Sequence, residues 1–94
     1  MDEVILLRAG EAELWDAVAY YEEREAGLGL AFVSEVRRQL AAIGEDPLRP
    51  SIRPAGYRRV NLRRFPFYLA YVIKERAIWA HAKRKPGYWK KRIP

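Results

Sequence analysis

The chain has 94 residues, no cysteine and a formal net charge of +6, and half of its residues are hydrophobic. This length predicts a single small domain over residues 1–94, and the composition excludes an intrinsically disordered chain and a disulfide-held scaffold. The apolar run at residues 4–7 is too short for a membrane span, and acidic residues precede it where a secretory signal would be basic, so we expect a cytoplasmic protein without membrane contact.

The first half of the chain predicts a strand followed by two helices. Residues 2–7 contain a compact apolar run at 4–7, and the segment is typical of a short strand. Over 9–27 and again over 30–43, apolar side chains recur every three or four residues, which predicts two amphipathic helices. We expect Gly27 to end the first helix and Gly29 to let the chain turn back, so that the helices form an antiparallel hairpin.

The second half predicts an antiparallel sheet, because the hydrophobic period changes from 3.6 to 2 after residue 56. The predicted strands cover residues 57–64, 67–74 and 77–84, and their short links are typical of a three-stranded meander. Packing the helical hairpin against the apolar face of this sheet gives a two-layer α+β fold.

The last predicted strand separates two kinds of side chain. Trp79, His81 and Lys83 fall on one face, and apolar residues alternate with them on the other. We expect the apolar face to meet the helices. We also expect Trp79 and Trp15 to pack in the core or against a helix.

Charge is distributed unevenly along the chain. Residues 1–48 contain 11 acidic and 4 basic residues, whereas residues 49–94 contain 14 basic residues and one acidic residue. The second half therefore predicts a surface that attracts nucleic acid or an acidic protein segment, since cations meet phosphates or carboxylates and aromatic rings stack on bases. The residues expected to contact nucleic acid or a partner are Arg58, Arg59, Arg63, Lys83, Lys85, Trp89 and Lys90. The alternative is that they form only the solvated face of a half-exposed sheet.

The single histidine, His81, lies within this basic half and can act as an acid or base near neutral pH, since free histidine has a pKa of roughly 6.5. Metal-free RNA cleavage needs a base for the 2′-hydroxyl proton, cations for the charge on phosphorus and an acid for the leaving oxygen. The candidate catalytic residues are His81 as base, Arg64 or Arg84 as charge clamp, and Tyr88 or His81 as acid. The alternative is that His81 hydrogen-bonds the backbone and fixes the tail.

The sequence carries no pattern typical of a metal or cofactor site. One histidine, no cysteine and carboxylates mostly on polar helix faces do not predict a ligand cluster. A glycine-rich phosphate loop is also absent from the sequence. We therefore expect no metal and no cofactor.

Three segments together resemble the RelE/ParE superfamily of toxins, and in particular its plasmid-stabilisation branch. They are YYEEREAGLGLAFVSEV, GYRRVNLRRFPFYLAYVI and HAKRKPGYWKKR, and the resemblance covers residues 9–92. It implies a strand, a helical hairpin and an antiparallel sheet, and the toxin of a type II toxin–antitoxin system. It also implies a cognate antitoxin as partner, whose partly disordered segment wraps the toxin.

Two activities divide this superfamily. RelE-like members cut mRNA in the ribosome, whereas ParE-like members poison DNA gyrase and are not nucleases. RelE-like enzymes place basic residues on the middle strands and an arginine and a tyrosine near the C-terminal end; Arg63 or Arg64, Arg84 and Tyr88 match these places, although Tyr68 stands where that pattern has an arginine. We favour a ribosome-dependent, metal-independent mRNA endonuclease. The alternatives are a ParE-like gyrase inhibitor and a basic binding module that has lost toxicity.

Overall fold

The computed structural model describes residues 3–85, which form two helices and four strands. The elements are β1 (Glu3–Leu6), α1 (Arg8–Arg24), α2 (Leu28–Glu45), β2 (Arg58–Asn61), β3 (Phe67–Lys74) and β4 (Ala77–Arg84). Their order confirms the predicted α+β fold of a strand, a helical hairpin and a three-stranded meander.

All four strands belong to one mixed sheet with the order β1-β4-β3-β2. The strands β2, β3 and β4 pair antiparallel, whereas β1 pairs parallel with β4, with Val4 opposite Ile78 and Leu6 opposite Ala80. Parallel neighbours cannot be joined by a tight turn and need a long crossover connection. Here the connection contains the helices and the other two strands, so the N-terminal strand joins the predicted meander as a fourth strand.

The core lies between the helical hairpin and one face of the sheet. Phe67, Leu69 and Ile78 point to this face and are fully buried. Phe32 of α2 packs on Phe67 and on Phe65, with ring centroids 5.0 Å apart in both pairs. Burial of each such side chain contributes roughly 1.5–3 kcal/mol. This aromatic group therefore fixes the position of α2 on the sheet.

The connection between the helices differs from the predicted one. α1 ends at Arg24, and Gly27, with φ 88°, lies directly before α2 rather than at the end of α1. The N–H groups of Gly27 and Gly29 donate to the carboxylate of Glu22 at 2.9 and 3.0 Å, which satisfies donors at the start of α2 and lets it begin earlier than predicted. Gly29 lies within α2, where a Cβ would be 2.8 Å from the carbonyl oxygen of Val18. This glycine therefore permits close helix packing instead of a turn.

Two further expectations are wrong. Trp15 is 61% exposed on α1, because its neighbour Leu14 takes the position that faces the core. β2 ends at Asn61, before the predicted end of the strand, because Glu35 on α2 binds the backbone of the residues that follow.

Candidate functional site

Two of the predicted binding residues and the predicted catalytic base share the sheet face opposite the helices. Arg59 lies across from Ala70, which in turn lies across from His81, and Tyr68 lies across from Lys83. Cross-strand partners point to the same face of a sheet. We call this face the open face; Tyr68, Ala70 and His81 on it are partly exposed and Lys83 is exposed. The fold thus gathers Arg59, His81 and Lys83 on one surface.

Arg59 and Tyr68 form a stacked pair on the open face. The guanidinium carbon of Arg59 lies 3.9 Å from the ring centroid of Tyr68, and its Nε–H donates to Oδ1 of Asn61 at 3.1 Å. Asn61 is the cross-strand partner of Tyr68. Sequence reasoning did not assign Tyr68 or Asn61 to the site, because only the strand register shows that they meet Arg59.

The imidazole of His81 lies at the edge of β4, next to the start of α1. Its Nδ1 is 2.9 Å from the carbonyl oxygen of Ala82. A carbonyl oxygen only accepts, so Nδ1 carries the proton and Nε2 of the neutral ring can accept one. Gly10 packs against this edge, since a Cβ there would be 3.2 Å from Nδ1. His81 thus contacts the backbone, as in the alternative interpretation, and still has a nitrogen for proton transfer.

Arg84 lies on the other face from His81, because it is three positions further along β4 and side chains alternate between faces. Its backbone N–H donates to Glu13 of α1 at 2.9 Å, and its guanidinium carbon is 5.5 Å from the ring centroid of Phe67. Arg64, in the turn after β2, lies 5.5 Å from the ring of the phenylalanine that follows it. The structure therefore places both arginines beside the aromatic core and does not bring Arg84 onto the face of His81.

The remaining predicted residues have backbone contacts or are not described. Nη1 of Arg58 donates to the carbonyl of Pro50 at 2.6 Å, which ties the loop before β2 to the sheet. The N–H of Lys85 donates to the carbonyl of Pro66 at 2.7 Å. The predicted residues Tyr88, Trp89 and Lys90 lie outside the described residues.

Glu35 is a buried carboxylate that sequence reasoning missed. It is 3% exposed and accepts the backbone N–H groups of Arg63 and Arg64, the latter at 3.4 Å. Arg38 lines the same small cleft. A glutamate within the apolar stripe of a helix is the signal that was available, because a buried carboxylate needs hydrogen-bond donors. Glu35 sets the path of the turn that carries both arginines.

Tyr71 is a second buried polar group, and it holds the same loop as Arg58. Its hydroxyl donates to the carbonyl of Pro47 at 2.6 Å. Burial raises the pKa of Tyr71 above its ordinary value, and the nearby guanidinium of Arg58 partly opposes this rise. The phenol therefore stays neutral and hydrogen-bonded at physiological pH.

The described residues contain neither a cluster of metal-binding side chains nor a membrane-spanning helix. Between residues 3 and 85, no three side chains of the metal-binding types come together. In the same range, neither helix combines the length and apolar character needed to cross a bilayer.

No family model and no curated protein matches the sequence. The structure is similar to a solved chain described as the chromosomal ParDE TA system from P. aeruginosa. The TM-score is 0.73 at 23% sequence identity, and the match covers 90% of this chain and 97% of that chain. This likeness shows a common fold, in agreement with the fold that the RelE/ParE resemblance implies.

Proposed function

We propose that this chain is the toxin of a type II toxin–antitoxin system, a cytoplasmic protein that inhibits growth when free and is neutralised by a cognate antitoxin. The observation that carries the proposal is the fold, which is shared over 90% of the chain with a protein named for a ParDE system. The three RelE/ParE-like sequence segments support it separately, because the resemblance lies in residue order and does not depend on the fold.

Charge supports an acidic partner or target. The chain carries 18 lysines and arginines against 12 acidic residues, and most of the cations lie in its second half. In the part of the chain that the structure describes, no carboxylate pairs with the charged groups of Arg59, Lys83 or Arg84. Unpaired cations attract carboxylates of an antitoxin segment or phosphates of a nucleic acid, and they speed the encounter.

For the target, we propose ribosome-dependent mRNA cleavage at the open face. Nε2 of His81 takes the proton of a 2′-hydroxyl, and the 2′-oxygen then attacks the adjacent phosphorus. The bond from phosphorus to the 5′-oxygen breaks, leaving a 2′,3′-cyclic phosphate, and Tyr88 or the protonated His81 delivers a proton to the leaving oxygen. Lys83 shares the face of His81 and lies two residues along the same strand, so it is better placed than Arg84 to stabilise the charge on phosphorus.

ParE-like inhibition of DNA gyrase is the second candidate. The separation of Arg84 from His81 on opposite faces favours it, because a catalytic set needs its groups around one phosphate. The ParDE name of the similar solved chain points the same way. In this case the basic residues form a binding surface only.

Induction of the protein in a bacterial host tests both candidates. New transcript 5′ ends in translated mRNA, mapped by primer extension with chromosomal DNA intact, are the expected result. DNA breaks that depend on gyrase, with transcripts intact, would instead favour the second candidate. Unimpaired growth at high expression would contradict the toxin proposal and favour a basic binding module without toxicity.

A further inference from the structure

The guanidinium of Arg59 lies on the open face and has no carboxylate partner within residues 3–85. It lies 3.9 Å from the ring centroid of Tyr68 on β3, and its Nε–H donates to Asn61 on its own strand. The stacking contact and the hydrogen bond together restrict the orientation of the guanidinium plane. Among the described residues no carboxylate pairs with Arg59, so its charge remains for a ligand.

The surroundings of this pair have the composition of a shallow binding site. Lys83, the cross-strand partner of Tyr68 on β4, is exposed and places a second cation beside the ring. Ala70 follows two residues after Tyr68 on the same face, between Arg59 and His81 in the cross-strand row. Its short side chain leaves space above the sheet between two longer ones. The space above Ala70 is therefore bordered by the ring of Tyr68 and by the two cations, Arg59 and Lys83.

These features fit one class of ligand better than the others. A planar cation held against an aromatic ring offers a stacking surface to an unpaired base, and stacking tolerates any base. A duplex keeps its bases stacked within the helix and would use only the charges. An acidic peptide would also use only the charges, since a carboxylate gains little from the ring.

We propose that Arg59 and Tyr68 form a stacking platform for one unpaired base of a single-stranded nucleic acid, with Lys83 contacting an adjacent phosphate. The inference deepens the proposed function, because it names the part of the ligand that the open face recognises. It also stands apart from toxicity, since binding can be measured on the purified protein.

The test is fluorescence anisotropy with a labelled uridine octanucleotide and with a labelled 16-base-pair DNA duplex. Tyr68→Phe keeps the ring and should bind the octanucleotide as the native protein does. Tyr68→Leu should weaken that binding about tenfold, the size typical of one stacked base. Arg59→Lys keeps the charge but removes the plane, and should weaken it by a similar factor. Binding of the duplex should change less than twofold in all three variants.

Arg53→Ala is the matched control, because it removes one exposed cation from the loop before β2 and not from a strand of the sheet. It should weaken single-strand binding less than twofold, and circular dichroism should show all variants folded. Native affinity in Tyr68→Leu or in Arg59→Lys would overturn the platform. So would equal losses for duplex and single strand, or displacement of the octanucleotide by an equimolar glutamate octamer.

The same variants separate this inference from the proposed function. Undiminished toxicity together with native octanucleotide binding in Tyr68→Leu would overturn the platform and leave the toxin proposal standing. Binding that depends on Tyr68 in a protein without toxicity would support the platform and contradict the toxin proposal.

Discussion

Glu13 on α1 accepts a hydrogen bond from the backbone N–H of Arg84 at 2.9 Å, which joins the first helix to the end of β4. β1 covers only the first part of this edge, and Leu7 makes the last backbone bond to it, with Ala80 at 2.8 Å. Beyond that point, side chains of Glu13 and His81 occupy hydrogen-bonding groups of the strand edge. Because these backbone groups already have side-chain partners, this edge is a poor template for pairing with another chain.

Replacement of Glu13 should therefore weaken the end of β4. Glu13→Ala should lower the free energy of unfolding by about 1 kcal/mol, the usual contribution of one hydrogen bond, and Glu13→Gln should lower it by less because the amide oxygen still accepts. Urea denaturation followed by circular dichroism measures both. Asp16→Ala, an exposed acidic residue of the same helix, is the control. Equal midpoints for Glu13→Ala and the native protein would mean that the bond contributes nothing.

Glu35 should matter more than Glu13, because it is buried and has two backbone donors. Glu35→Ala leaves both N–H groups without an acceptor and should reduce the free energy of unfolding by about 2–3 kcal/mol. Glu45→Ala, at the exposed end of α2, should change it by less than about 0.5 kcal/mol. Chemical denaturation of the two variants provides the comparison, and similar losses in both would argue against a special role for Glu35.

Because of Tyr71, the free energy of unfolding should fall at alkaline pH. The pKa of Tyr71 is raised in the folded state, so folding favours the neutral phenol. Its contribution to the free energy of unfolding is complete below the ordinary pKa of 10.0, and it is lost as pH rises through the folded pKa. Tyr71→Phe should be about 1 kcal/mol less stable than the native protein at pH 8, since it lacks the bond to Pro47. That difference should shrink as pH rises above 10.0. Urea titrations across this range decide the matter, and a constant difference would contradict the assignment.

Toxicity should follow the face of the sheet if cleavage takes place on the open face. His81→Ala and Lys83→Ala should each restore growth during induction and lower the yield of new transcript ends at least about tenfold, as expected for loss of proton transfer or charge stabilisation. Arg84→Ala should have the smaller effect. Lys74→Ala is the control, because Lys74 ends β3 at the other end of the sheet from Tyr68. Full toxicity of both open-face variants would exclude the proposed catalytic set.

The helices and strands could be predicted from the spacing of apolar residues, because an element that buries one face needs apolar side chains at regular intervals along that face. The alternation over residues 77–84 matches the buried positions of β4, and the apolar spacing of the two helical segments matches the hairpin. The same local signal failed for Trp15, since an aromatic residue beside a helical stripe carries no sign of which side it takes. It also failed at residues 62–64, where contact with Glu35 of a distant helix ends the strand.

The candidate site could be predicted only in part, because its members meet through pairing between strands. Alternation placed His81 with Lys83, which are neighbours on one strand. It gave no means to decide that Arg59 and Tyr68 stack while Arg58 turns to the loop, since this depends on the register of β2 against β3. Arg84 was predicted to be catalytic because it is close to His81 in sequence. In an extended strand, residues three positions apart point to opposite faces.

The parallel pairing of β1 with β4 has a consequence for synthesis. Glu3 in β1 is aligned with Ala77 in β4, so during synthesis β1 stays unpaired until β4 has left the ribosome. Incomplete products that lack β4 expose an apolar strand without a pairing partner, which favours their clearance by proteases. A cell that makes this protein is therefore exposed to its folded form only from chains long enough to include β4.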